Sequence, residues 1–420
     1  MLMNNAISGL QAATTDLSVV SNNVANASTV GFKSSQALFA DMYAANASPG
    51  KAVGMGVQVA GVSQSFNQGS LKLTNKSLDL AIVGQGFFGV NNGGAMAYTR
   101  AGAFGTDKDG FIVNQGGMRL MGYQSNGAGG VSGQLGDLRI DTAKMAPSAT
   151  SRGNLSLNLD AGVEPPAEPW AGPFDPWGED ANAGPPSPDT YNSATSLTVY
   201  DSLGNPHTLS LYFVRGEGNQ WEVHALIGGV TVGGSPAGTL TFDEQGVLDP
   251  ESAEFELAGW QPLNGAGEPN GAAGKDMTFS LGDSTQFASP FTIQGLQQDG
   301  YATGEFSRIA IDDTGHIVSY FTNGRSQVVG QVALYNFANP QGLQPVGDSA
   351  WVETPESGVA LVGAPGVGGL GRLESGALEE SNVDLTEELV NLIQAQRNYQ
   401  ANAKTIQTAD TITQTILNMR

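Results

Sequence analysis

Apolar and small residues recur at alternating steps of four and three at both ends of this chain. Near the N-terminus the row is Met3, Ile7, Leu10, Thr14, Leu17, Ser21 and Val24. Near the C-terminus it is Leu385, Leu389, Leu392, Gln396, Tyr399, Ala403, Ile406, Asp410, Thr413 and Leu417. This spacing keeps one face of a helix in register with a partner, as in the seam of a coiled coil. It predicts a helix over 3–24 and a second over 385–417. The C-terminal helix also carries Val390, Ile393, Ala401, Ile412 and Ile416, offset from the first row. A helix that is apolar on two sides needs more than one partner, so the end helices are expected to pack against other copies of the chain. Thr14, Thr15, Val19 and Val20 are mediocre helix formers. A helix of that length is marginal alone in water. Asn22, Asn23, Asn26 and Gly31 are expected to end it. Asp384, with Glu387 three residues on, reads as the N-cap and capping box of the C-terminal helix.

Between the ends the period changes. Residues 34–70 read as a mixed connector, with Gly and Ser around Ser48-Pro49-Gly50 and a short alternating strand at Val57 to Val62. From Gly69 onward apolar residues alternate with polar ones, as in Leu78, Leu80 and Ile82. One turn recurs: Asp107-Lys108-Asp109-Gly110, Asp201-Ser202-Leu203-Gly204, Asp243-Glu244-Gln245-Gly246 and Asp312-Asp313-Thr314-Gly315. Asp opens a type I turn and Gly takes the left-handed position after it, so each predicts a short hairpin. Four hairpins predict antiparallel sheets. Residues 163–188 hold eight prolines together with Trp170 and Trp177, and such a run is neither helix nor central strand. The expected fold is mainly β with helical termini. Antiparallel inner and outer β domains are nested and discontinuous, on a stem made of an N- and C-terminal α-helical coiled coil. The expected boundaries are 1–33 with 376–420 for the helical assembly domain, 34–70 for the connector, 71–147 with 302–375 for the inner domain and 148–301 for the outer insertion.

Composition narrows the function. At 420 residues the chain predicts two to four domains. Gly accounts for 58 residues and charged residues for only 14%, against roughly 25% in typical domains. Low-charge polar surfaces of this kind can pack into a polymer without a large desolvation cost. The net charge is −22, which argues against nucleic acid, whose phosphates need Lys and Arg, and against anionic membranes. Cys is absent, so disulfides, thiol catalysis and Cys-ligated zinc are excluded. No apolar run reaches membrane-spanning length. The N-terminus has neither the basic nor the apolar region of a cleaved signal. The expectation is a cytoplasmic protein or one exported without such a signal.

Motifs that carry chemistry elsewhere find no support. Gly84-Gln85-Gly86-Phe87-Phe88-Gly89 is a literal G-x-G-x-x-G, but Val90-Asn91-Asn92-Gly93-Gly94 follows where a dinucleotide site needs a helix. A glycine-rich hairpin is expected there instead. Asp107 to Gly110 matches the start of a calcium loop, yet the closing acid is replaced by Met118. His207, His224 and His316 form no metal-binding pair. No catalytic, cofactor or metal residue is expected. The expected assembly contacts are Ile7, Leu10, Leu17, Val24, Leu385, Leu389, Leu392, Tyr399, Ile406 and Leu417.

Several segments nevertheless match a known pattern. Ser8-Gly9-Leu10, Asn22-Asn23-Val24-Ala25-Asn26 and Thr29-Val30-Gly31-Phe32-Lys33 resemble the N-terminal signature of the bacterial flagellar rod and hook family. Gly84-Gln85-Gly86-Phe87-Phe88 is similar to its inner-domain motif. Glu379-Glu380-Ser381-Asn382-Val383-Asp384 and Ala395-Gln396-Arg397-Asn398-Tyr399-Gln400 are similar to its C-terminal signature. The motif positions are Asn22, Asn23, Asn26, Gly31, Gly84, Gly86, Phe87, Asn382, Asp384, Gln396, Arg397, Asn398 and Tyr399. The insertion near 148–301 resembles the longer hook members, while the Pro-rich segment departs from their pattern. The resemblance implies a non-catalytic, exported subunit of a curved, flexible tube that links rod to filament and transmits torque. Its implied partners are itself, rod proteins, a hook cap, hook–filament junction proteins and the flagellar export apparatus. It implies no nucleic-acid partner and no membrane insertion, and an extracellular place in the hook and basal body. Two other readings are a distal rod protein, told apart by a straight polymer, and an exported cell-wall enzyme, which would need a catalytic carboxylate.

Overall fold

Each of the four Asp-x-x-Gly segments is a hairpin turn. In each, one Asp Oδ1 accepts two backbone N–H groups, from the second and the fourth residue after it. For Asp107 these come from Asp109 and Phe111, at 2.9 and 2.8 Å. For Asp201 they come from Leu203 and Asn205, both at 2.9 Å. Asp243 and Asp312 repeat the pattern. The closing glycines, 110, 204, 246 and 315, all have φ between 78° and 85°. A carboxylate that pins its own loop in this way rigidifies the tip of each hairpin.

The computed structural model describes residues 2–42, 54–127, 129–177 and 184–418. The chain is mainly β, with helical termini. Helix α1 spans Leu2–Ala25 and α2 spans Leu385–Asn418. Asp384 caps α2, its Oδ1 accepting from the Thr386 and Glu387 N–H groups at 2.8 and 3.2 Å. The weak helix formers are accommodated by back-bonding. The hydroxyls of Thr14, Ser18, Thr405 and Thr408 each donate to the carbonyl four residues earlier, which satisfies those hydroxyls within the helix.

Two compact units are present. The first comprises 1–142, 307–320 and 326–420; the second comprises 143–306 and 321–325. In the first unit, strands from the two halves of the sequence are interleaved. Phe87–Asn92 pairs with Ala95–Thr99 and Arg119–Ser125. Arg119–Ser125 pairs with Ser326–Val332, and Ala95–Thr99 with Ala350–Val352. Shorter ladders lead toward the chain ends: Leu80–Val83 with Arg372–Ser375, and Leu71–Leu73 with Ala377–Glu379. The connector contains an antiparallel hairpin, Ser35–Asp41 with Val57–Gln64. The expected turn at Ser48-Pro49-Gly50 lies outside the described residues.

The expected glycine-rich hairpin is present, Phe87–Asn92 with Ala95–Thr99 joined by a turn at Gly93 and Gly94. Ahead of it, Gly84 to Gly86 form a bend between strands of two different sheets. Leu80–Val83 turns toward 372–375, whereas Phe87–Asn92 enters the large sheet. Gly84 and Gly86 take φ of 110° and 126°, and the Gln85 carbonyl accepts from the Gly371 N–H at 2.7 Å. The bend delivers Phe87 into a cluster where its ring lies 5.6–5.9 Å from those of Phe66, Phe337 and Trp351.

The second unit packs two five-stranded sheets around one core, which includes Leu157, Leu211, Phe213, Trp221, Leu257 and Phe279. Antiparallel pairing is joined here by two parallel pairings. Arg152–Asp160 runs parallel to Lys275–Ser280 and to Thr285–Phe287. Long crossovers through the other sheet make this possible. The Pro-rich run, as far as Trp177, lies on the unit's surface. Trp170 stacks on His224 at 4.2 Å, and the Phe174 backbone exchanges hydrogen bonds with Thr231.

Candidate assembly surface and the joint at its base

α1 and α2 pack against each other in opposite directions. The Asn23 Nδ2 donates to Glu388 Oε1 at 2.9 Å, and a Cβ placed on Gly9 would lie 2.7 Å from the Asn402 Oδ1. Both contacts are made from positions beside the expected row of α1. The row of α1 that is buried or half-buried against the rest of the unit is Ala6, Gly9, Ala13, Asp16, Val20 and Asn23, one position earlier than the expected Ile7, Leu10, Leu17 and Val24. Small side chains let the backbones approach closely, so the small row faces inward. The expected row is left outward: Met3 and Ile7 are exposed, and Leu10, Leu17 and Val24 are half-buried.

α2 divides the same way. Its sheltered positions are Glu388, Leu392, Ala395, Asn402, Ala403, Ile406 and Ala409, with Ala395 fully buried. Leu392 and Ile406 therefore belong to the intramolecular row. Leu385, Leu389, Val390, Ile393 and Ile412 are 48–59% exposed, and Tyr399 is 39% exposed. The side chain of Leu417 lies outside the described residues. The outward faces of the two helices thus carry exposed large apolar side chains, Met3 and Ile7 on α1 and Leu385, Leu389, Val390, Ile393 and Ile412 on α2.

The polar motif residues collect at the base of the helices. Asn23 bridges to the connector, donating to the Ser35 carbonyl at 2.7 Å and accepting from its N–H at 2.9 Å. Asn26 bonds Asn22 and accepts from the Thr29 hydroxyl. Asn382 accepts from the Ser34 N–H and donates to the Ser65 and Asn67 carbonyls. Gln396, Arg397, Asn398 and Tyr399 stand apart from this joint, exposed along α2.

Beneath these bonds lies a buried ionic cluster. Lys33 Nζ contacts Glu379 Oε1 at 2.6 Å, and Arg100 Nη1 contacts Glu379 Oε2 at 3.1 Å. The side chains of Lys33 and Glu379 are fully buried and that of Arg100 nearly so. Lys33 also donates to the Asn67 carbonyl, Arg100 to the Gly84 carbonyl, and the Gly69 N–H to Glu379. Burial pushes the Lys33 amine and the Arg100 guanidinium below their ordinary ranges, while the adjoining Glu379 carboxylate pulls both back up. Sequence reading reached Lys33 and Glu379 through the motifs but missed Arg100. Its one local signal is a lone cation, in a chain poor in charge, set inside an apolar run.

Beside the joint, a polar cleft of about 520 Å³ is lined by Asp16, Val20, Asp384, Glu387, Glu388 and Asn391 among others. Burial raises the carboxyl of Glu388 above its ordinary range, and Glu387 and Asp16 push it the same way, against the Asn23 hydrogen bond. Burial also raises Asp16. The three histidines serve turns and strands: His207 meets Asp201, His224 meets Glu222, and His316 meets Asp312.

Four family models match the chain in succession. They are "Flagella basal body rod protein" at 3–33, "Flagellar hook protein FlgE/F/G D1 domain" at 81–157, "Flagellar basal body protein FlaE D2 domain" at 158–301 and "Flagellar basal body rod FlgEFG protein C-terminal" at 374–419. The flagellar hook protein FlgE of Salmonella typhimurium is 39% identical over the full length of both chains. That of Escherichia coli K12 is also 39% identical over both full lengths. The Treponema pallidum protein of the same name is 34% identical over 99% of this chain and 98% of its own. The crystal structure of Helicobacter pylori flagellar hook protein FlgE2 shares the fold, with a TM-score of 0.52 at 15% identity, covering 73% of this chain and all of that one. With full-length relatives at this identity, the chain belongs to the flagellar hook protein family.

Proposed function

We propose that this chain is the structural subunit of a flagellar hook. It polymerises through its terminal helices into a curved, flexible tube that joins the basal-body rod to the filament and carries torque. The observation that carries this reading is the uncovered apolar face of the helix pair, Ile7, Leu385, Leu389, Val390, Ile393 and Ile412, in a chain of this family. Large exposed apolar patches mark interaction surfaces, and a repeating contact between identical subunits that does not close produces a helical filament. The role is mechanical and involves no catalysis. The subunit works outside the cell in the hook and basal body, and its neighbours are other copies, rod proteins, the hook cap, the junction proteins and the export apparatus. Within this reading the chain has four parts: the helical stem, the connector, the inner β domain and the outer insertion near 148–301.

Electron microscopy of the purified full chain tests this. Curved tubes are expected on concentration. Straight rigid tubes would favour a rod subunit, and failure to form any ordered polymer would overturn the proposal.

A further inference from the structure

The Lys33–Glu379–Arg100 cluster holds two cations and one anion, all buried, and they come from three separate stretches of chain. The contribution of each stretch is unequal. Without Lys33, Glu379 and Arg100 remain a neutral, hydrogen-bonded pair. Without Glu379, Lys33 and Arg100 would be two buried cations with no counter-charge. Removing the shared anion is therefore far more damaging than removing the extra cation, because an uncompensated buried charge is the costly outcome.

The backbone around the cluster follows the same dependence. The Gly31 N–H donates to the Glu379 carbonyl at 2.8 Å, so the segment carrying Lys33 rests on the strand carrying Glu379. That strand, Ala377–Glu379, is held independently by its ladder with Leu71–Leu73. The Glu379 carboxylate also accepts from the Gly69 N–H at 2.9 Å.

We propose that the cluster imposes an order on closure of the chain ends: the C-terminal strand bearing Glu379 docks first, and the N-terminal segment bearing Lys33 docks only onto it. The N-terminal segment can open while the C-terminal strand stays paired, but the reverse opening takes both. The inference concerns the free chain as much as the polymer and does not rest on the proposed assembly.

Hydrogen exchange of the full chain, read at residues 30–35 and 377–380, tests this order. In Lys33→Met, exchange should rise at 30–35 and stay unchanged at 377–380. In Glu379→Gln it should rise at both, by about a hundredfold at 30–35. The double variant Lys33→Met/Glu379→Gln, which removes the unpaired amine, should be better protected at 30–35 than Glu379→Gln alone. Protection at 87–92 reports whether the large sheet remains folded in each variant. If Lys33→Met opens both segments equally, or the double variant is no better protected than Glu379→Gln, the proposed order is wrong. The double-variant comparison still decides if Glu379→Gln loosens the whole unit.

Discussion

At Gly31 the backbone passes through φ 68°, and a side chain there would collide with the backbone of Arg100 and Ala101. Two demands meet at this residue, a left-handed conformation and a close approach of chains, and only glycine satisfies both. Gly31→Ala should destabilise docking of the N-terminal segment by about 1–3 kcal/mol, seen as early proteolysis near residue 31. Asp201 illustrates another single-residue effect. Burial favours the protonated acid, yet hydrogen bonds from Asn205, Asn270 and His207 outweigh it and hold the carboxyl well below its ordinary range. A depressed folded pKa gives stability that is present above the unfolded value and lost as pH falls. The second unit should therefore lose thermal stability below about pH 4, with Asp299, lowered in the same sense, adding to the slope. Asp201→Asn should lower stability at neutral pH and flatten that acid-side slope. An unchanged slope in a melting series would contradict this.

The helix pair has the opposite pH response. Asp16 and Glu388 are raised above their ordinary ranges, so the docked helices bind protons more readily than separated ones. Their contribution is complete below the unfolded carboxyl values and declines as pH rises through the folded ones. Docking of α1 on α2 should tighten as pH falls from 7 toward about 4.5, measurable by exchange in residues 6–23. Ala13→Leu should weaken docking by about 1–3 kcal/mol at any pH, because it overfills a close-packed row. The helices themselves were legible from spacing, and so were the hairpin turns, because Asp and Gly act within four residues of one another. Which row faces inward was not legible. Ile7, Leu10, Leu17 and Val24 and the adjacent row of Ala6, Gly9, Ala13 and Val20 share the same period, and only the partner decides between them. The parallel pairing of Arg152–Asp160 and the place of Arg100 were equally hidden, since both depend on residues more than a hundred positions away.

At the scale of the whole molecule, strands from both halves of the chain interleave in the large sheet of the first unit, and the ladders at 71–73 and 80–83 bring the two ends to one place. The joint of Asn23, Lys33, Glu379 and Asn382 fixes those ends, and the helices rise from it with their large apolar residues turned outward. Sequence spacing predicts an interface at those residues. The structure turns Ile7, Leu385, Leu389 and Ile393 away from the intramolecular pair, and we propose that neighbouring subunits cover them. The most direct test is polymerisation of Leu389→Asp and Ile393→Asp, whose side chains are half exposed and outside the row that meets α1. Sedimentation and electron microscopy should show wild-type chain forming tubes and both variants remaining monomeric, with the melting of the two β units unchanged. Tubes formed by either variant at the wild-type concentration would contradict the assignment of this face to assembly.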